Sequence, residues 1–203
     1  AASFLADNEF KPDVCFTSYL QRANKTLEII LNHMPVKMVK DIEIIKSWKL
    51  NERHYGALQG LNKDDTKNKY GEQKFLEWRR SYNIPPPILD EDSIMNPKKD
   101  PIYENENTDE LPLTECLKDT YERVVPYWTS EIKPLILEKD VMIAAHGNSL
   151  RSLCKFLFDI EDDDIVNLEI PTGNPLLINL DKSCKILSAI YLDSSRAENL
   201  PKI

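Results

Sequence analysis

Val141-Met142-Ile143-Ala144-Ala145-His146-Gly147-Asn148-Ser149-Leu150-Arg151 decides the fold. Its first five residues are apolar or small and read as a buried strand. His146 and Gly147 stop the run. Asn148 and Ser149 offer N-cap chemistry to the periodic stretch Leu150, Leu153, Cys154, Leu157. The stretch predicts a strand, a sharp turn carrying a histidine, and a helix. In an open α/β sheet, ligands bind just beyond the carboxyl ends of the strands. A helix N-terminus adds free N–H groups and a positive dipole end, which favour an anion. The expected ligand is a phosphorylated small molecule.

Upstream, residues 1–8 read as the end of a helix, and Asp13 to Thr17 as a short buried strand. Ser18 is a candidate cap for a helix whose apolar points are Leu20, Ala23, Leu27, Ile30, Leu31 and Met34. Arg22 falls in its first turn, where a cation opposes the helix dipole. Facing an anion would repay that cost; a solvated surface arginine is the other reading. Val36 to Ile45 alternates weakly and suggests a further strand.

Trp48 to Lys63 is a loop with two glycines and side chains of every catalytic type. Residues 66–82 read as a helix ending in Arg79-Arg80 before Pro85-Pro86-Pro87. The arginine pair fits either helix capping or a fork for carboxylate and phosphate. Residues 89–112 are acidic, rich in Pro and Asn, and read as an exposed excursion. Thr114 is a candidate cap for a helix to Leu137, bent or broken at Pro126 and Pro134. Glu161 to Leu168 reads as a short acidic helix. Leu176–Leu180 and Ile186–Leu192 read as a hairpin, and residues 194–203 as a mobile tail.

The 203 residues suit a single domain. With 26 Lys+Arg against 34 Asp+Glu and no basic run, nothing resembles a nucleic-acid footprint. No apolar run approaches the roughly 20 residues of a membrane helix. The first residues lack the pattern of a signal peptide, so a cytoplasmic location is expected. Cys15, Cys116, Cys154 and Cys184 contain no CxxC pair and read as buried free thiols. His33, His54 and His146 lack metal-ligand spacing, so no metal is expected.

Five motifs occur in a fixed order: Leu50 to Lys63 with its Glu52-Arg53-His54-Tyr55-Gly56 core, Trp78-Arg79-Arg80 before the triple proline, Leu111-Pro112-Leu113-Thr114-Glu115, Ala145 to Arg151, and Ile170-Pro171-Thr172-Gly173. Together, from about Asp13 to Leu192, they closely resemble the 2,3-bisphosphoglycerate-dependent phosphoglycerate mutases of the histidine phosphatase superfamily. The resemblance implies an α/β fold, a three-layer α/β/α sandwich with a mixed, mostly parallel sheet. It implies a glycolytic interconversion of 3-phosphoglycerate and 2-phosphoglycerate through a phosphohistidine intermediate, primed by 2,3-bisphosphoglycerate. A homodimer or homotetramer would be in keeping with it. A bisphosphoglycerate mutase or phosphatase sibling, or a non-catalytic fragment or paralogue lacking the nucleophilic histidine, are the alternatives.

The resemblance also assigns roles. His146 would stabilise the transferring phosphoryl group, and Glu52 would exchange a proton with the substrate hydroxyl. Arg22 would hold the phosphoryl. Tyr55, Lys63, Arg79 and Arg80 would bind the carboxylate and the distal phosphate, with Arg53 in support. Gly147 and Asn148 would contribute at the helix start. The family's nucleophile is a histidine in an Arg-His-Gly motif at the end of a first strand, and these 203 residues contain no such motif. Ala1 aligns within the family's first helix, so the natural protein is expected to extend upstream. The corresponding strand would lie beside Val141–Ala145, and without it backbone groups there should be unpaired and the core open.

Overall fold

The computed structural model describes residues 1–196; residues 197–203, which hold most of the expected mobile tail, lie outside the described residues. The described start of that tail is a turn in which Arg196 Nη2 donates to the Thr172 carbonyl at 2.7 Å. In chain order the regular elements are α1 (Ala2–Asp7), β1 (Val14–Thr17), α2 (Gln21–His33), β2 (Glu43–Lys46), α3 (Lys63–Tyr70), α4 (Glu72–Arg80), α5 (Leu117–Tyr127), α6 (Lys133–Ile136), β3 (Val141–Ala144), α7 (Gly147–Leu157), β4 (Leu176–Leu180) and β5 (Ile186–Tyr191). Short 3-10 turns join them. The chain divides into two compact units, Ala1–Glu52 with Arg123 onward, and Arg53–Glu122.

The first unit is built on a parallel sheet ordered β2-β1-β3. Central β1 is buried along its whole length, as expected for a strand covered on both faces. Val14, Phe16, Leu50, Val124, Trp128, Ile132 and Leu153 form one apolar cluster. Leu5, Cys15, Leu27, Met34, Met142 and Ala144 form another. Burial pushes the Cys15 and Cys154 thiols up to about 12, so both serve as packing groups.

Among the described residues β3 pairs with β1 alone. β3 also lines a cleft of about 740 Å³, together with Leu5, Arg22, Glu52, His146, Leu153 and Ile178 among others. The β4–β5 hairpin is antiparallel, forms a separate two-stranded sheet, and also lines that cleft.

Several local expectations change. The strand expected over Val36–Ile45 is a 3-10 turn, Val36–Met38, followed by the shorter and later β2. Ser18 does not cap α2, whose N-cap is Leu20 with no side-chain cap bond; its hydroxyl is used elsewhere. The acidic helix expected over Glu161–Leu168 reduces to a 3-10 turn at Ile165–Asn167. The expected bend at Pro126 and Pro134 is absorbed in a π-helical turn, Trp128–Ile132, between α5 and α6. A wide turn of this kind tolerates a missing ladder bond without ending the helix.

In the second unit, the single helix expected over 66–82 is two helices, because Gly71 at φ 84° and ψ 153° ends α3 and caps α4. That conformation is open essentially to glycine alone. Thr114 does not cap α5; its hydroxyl donates to the Pro86 carbonyl at 2.7 Å. The Cys116 N–H is satisfied instead by Asp119 Oδ2 at 2.7 Å. The 89–112 excursion is more ordered than its composition suggests. Asn96, Asp100 and Asn107 each cap a 3-10 turn through their side chains, and Leu89, Tyr103 and Leu111 are buried.

Candidate functional site

The turn after β3 places His146 at the N-cap of α7. Asn148 and Ser149 were expected at the cap, but they stand inside the first turn of the helix. The Ser149 hydroxyl accepts from the His146 backbone N–H at 3.1 Å. The His146 ring in return accepts from the Ser149 backbone N–H. This is a capping box with the histidine in the cap position, and it fixes the ring at the carboxyl end of β3. The residue is only 4 % exposed.

Two side chains reach that ring. Ser18, at the end of β1 and fully buried, lies with Oγ 2.9 Å from Nε2. Arg22 Nη2 lies 3.4 Å from Nδ1. A guanidinium only donates, so Nδ1 is the acceptor and Nε2 carries the proton. This hydrogen assignment follows from the network. Nε2–H then donates to Ser18 Oγ, which also accepts from the Leu20 N–H at 3.1 Å. Burial lowers the His146 pKa to about 4; the Glu52 carboxylate raises it, and Arg22 and Arg123 lower it further. The imidazole is therefore neutral near pH 7.

Glu52 closes the cluster. Its Oε1 accepts from Asn148 Nδ2 at 2.9 Å and from the Asn148 backbone N–H at 3.3 Å. Its Oε2 lies 3.8 Å from Arg22 Nη2. The backbone contact puts the carboxylate on the free N–H groups and positive end of α7. Asn148 Oδ1 accepts from Arg151 Nη1 at 3.2 Å, and Arg151 Nη2 donates to the Ile165 carbonyl at 2.6 Å. With its oxygen engaged, the Asn148 amide must present its NH2 to Glu52. Tyr19 N–H donates to Asn51 Oδ1 at 3.0 Å, which ties the loop before Glu52 to the end of β1.

Arg22, Glu52, His146, Gly147 and Asn148 thus meet in the first unit. The other expected residues lie in the second unit. Arg53 is 2 % exposed; its guanidinium sits 4.7 Å over the Tyr55 ring, and Nη2 donates to the Arg79 carbonyl at 3.4 Å. These contacts make it a support for Tyr55 and Arg79. Arg79, half-buried, packs 5.4 Å over the Phe75 ring, and Arg80 is exposed. Lys63 opens α3, and its side chain lies outside what is described. His54 keeps a packing role, its Nδ1 accepting from the Gly56 N–H at 3.0 Å. His33 stays on the surface of α2, bonded to the Ile29 carbonyl.

Residues 1–96 match the histidine phosphatase superfamily (branch 1). Over 193 residues the chain is 51 % identical to a 2,3-bisphosphoglycerate-dependent phosphoglycerate mutase of Borreliella burgdorferi (strain ZS7), covering 95 % of this chain and 77 % of that one. The chain belongs to the 2,3-bisphosphoglycerate-dependent phosphoglycerate mutase family. A mutase of the same name from Borreliella afzelii (strain PKo) is 54 % identical over 181 residues, 89 % of this chain and 72 % of that one. Among solved structures, a mycobacterial hydrolase aligns with a TM-score of 0.63 at 16 % identity, over 91 % of this chain and 76 % of that one. A mycobacterial glucosyl-3-phosphoglycerate phosphatase in complex with inorganic phosphate aligns with a TM-score of 0.60 at 16 % identity, over 94 % and 80 %. At that identity these two establish the α/β fold alone.

Four residues that hold this cluster were not expected from the sequence in that role: Ser18, Arg123, Ser149 and Arg151. Arg151 carried a usable signal, since it stands three residues after Asn148 on one helix face. Ser18 carried only its place at the carboxyl end of a strand. Arg123 carried none.

Proposed function

We propose that this chain supplies the charge-stabilising and proton-exchanging groups of a phosphoglycerate mutase that interconverts 3-phosphoglycerate and 2-phosphoglycerate. The observation that carries this reading is the convergence of a neutral imidazole, a guanidinium, a carboxylate and a helix N-terminus at the end of β3. Both units would then serve one activity across residues 1–203.

His146 would turn its Nε2–H, which donates to Ser18 Oγ in the ligand-free site, to the phosphoryl oxygens as charge grows on them. A pre-placed donor of this kind contributes several kcal/mol to phosphoryl transfer. Arg22 holds the same oxygens from the solvent side. Glu52 takes the proton of the substrate hydroxyl as that oxygen gains the phosphoryl group, and returns it when the group leaves. Gly147 and Asn148 present backbone N–H groups at the start of α7. Tyr55, Lys63, Arg79 and Arg80 bind the carboxylate and distal phosphate, with Arg53 holding Tyr55 and Arg79 in place. The cationic and N–H groups present suit 2,3-bisphosphoglycerate, which supplies the priming phosphoryl group.

The family resemblance puts the nucleophilic histidine on a strand beside β3. The β3 edge with no second strand neighbour among the described residues, the cleft that β3 lines and the buried Tyr191 hydroxyl in that lining, without a partner among the described residues, support this reading.

The test is turnover of 3-phosphoglycerate by protein made from the whole reading frame, with and without 2,3-bisphosphoglycerate. Cofactor-stimulated formation of 2-phosphoglycerate is expected. Glu52→Gln should cut kcat by about 10²–10⁴-fold, the usual worth of a general acid/base, with the fold intact by circular dichroism. Near-normal kcat in that variant would overturn the role of Glu52.

A further inference from the structure

We propose that Arg123 is a positioning residue for this site, gathering the carbonyls of the loop that ends at Glu52 and so fixing where that carboxylate stands. The proposal rests on the reading of Glu52 given above. Arg123 is 9 % exposed. Its Nη1 donates to the carbonyls of Lys49 at 2.7 Å and Trp48 at 3.4 Å. Its Nη2 donates to those of Asn51 at 3.0 Å and Glu52 at 3.4 Å. The guanidinium carbon also lies 5.8 Å from the Trp48 ring centroid.

This loop needs such a group. Trp48–Leu50 is a single 3-10 turn, closed by the Asn51 N–H donating to the Trp48 carbonyl at 2.8 Å. Ser47 satisfies its start by accepting from the Lys49 N–H at 3.2 Å. Arg123 satisfies its end. A planar fork with five donors can serve four carbonyls at once, whereas an ammonium is a point donor on a flexible stem. The carbonyl of Glu52 is held on one side by Arg123, and its carboxylate on the other by Asn148 and Arg22. Displacements of about 1 Å in such groups can cost 10²-fold in rate.

Arg123 also contributes charge. The groups facing His146 are the Glu52 carboxylate, the Arg22 and Arg123 guanidiniums and the Ser18 hydroxyl. Removing the Arg123 charge should raise the His146 pKa.

The experiment compares native full-length protein with Arg123→Met and Arg123→Lys. Three quantities are read: steady-state kcat and KM for 3-phosphoglycerate, the His146 titration by NMR assigned with a His146→Asn spectrum, and Tm. Arg123→Met is expected to lower kcat about 10- to 100-fold, with KM changed less than about 3-fold, and to raise the His146 pKa. Arg123→Lys should restore the His146 titration but not kcat, because the charge returns without the fork. A purely structural role would lower Tm and leave kcat per folded molecule unchanged. A folded Arg123→Met protein with native kcat and native His146 titration overturns the proposal. If the native protein itself fails to turn over phosphoglycerate, the mutase reading falls, and the His146 titration still judges the placement of Arg123.

Discussion

His146 is held neutral by its surroundings, and this has a consequence for stability. Its folded pKa is about 4, while an imidazole in the unfolded chain titrates near 6.5. A group whose folded pKa is depressed stabilises the fold fully above its unfolded pKa. That contribution is lost as pH falls from about 6.5 towards about 4, because the unfolded state binds the proton first. Each unit is worth about 1.4 kcal/mol, so a few kcal/mol should disappear across the window. Urea unfolding of native protein and His146→Gln at stepped pH measures this. The difference between the two should narrow as the pH drops; a constant difference would refute it. The sequence made His146 and Glu52 legible through their motifs. It could not show that Ser18, 128 positions from His146, meets the imidazole, because only the parallel pairing of β1 with β3 brings the two strand ends together. Arg123 was hidden for a related reason: it works through backbone carbonyls, which every sequence possesses.

At the scale of elements, two glycines of the second unit test how backbone conformation shapes it. Gly71, between α3 and α4, has a positive φ but nothing within 4 Å of a would-be Cβ. Gly56 also has a positive φ, and a Cβ there would stand 2.1 Å from the Pro87 carbonyl oxygen. Gly71→Ala should therefore cost only the conformational strain, about 1–3 kcal/mol. Gly56→Ala should cost clearly more, because backbone must move away and the bond from the Ala57 N–H to the Pro87 carbonyl at 2.8 Å is put at risk. Urea midpoints compare them, and equal losses would refute the difference. The strand–turn–helix of 141–157 was legible because a buried strand and an amphipathic helix have different periods. The division at Gly71 was not, since residues on both sides continue a helical pattern and a lone glycine is often tolerated. The π-turn after Pro126 was not legible either. A proline signals a lost ladder bond but does not say whether the helix stops or widens. The asparagines at 96 and 107 were read only as part of an exposed excursion, and by position they are caps.

At the scale of the whole molecule, the fold class and the order of motifs were readable, and the parallel sheet follows from them. The division into two units was not, because no composition shift marks Glu52 or Arg123. The chain carries a net charge of −8, yet the proposed site would offer cations to an anionic substrate. Arg22 faces water with 76 % of its side chain exposed, while the Glu52 side chain beside it is only 18 % exposed. Capture and chemistry should then respond differently to ionic strength. Counter-ions screen exposed charges beyond about 8 Å at physiological salt, so the pull of Arg22 on an approaching phosphoglycerate weakens as salt rises. The buried imidazole, reached only after docking, is shielded from the same ions. Steady-state kinetics over a salt series at fixed pH should show KM climbing while kcat holds; a kcat that falls in step with rising KM would refute this. Such an enzyme would be tuned by the ionic content of its medium at the moment of encounter, and indifferent to it once the substrate is seated.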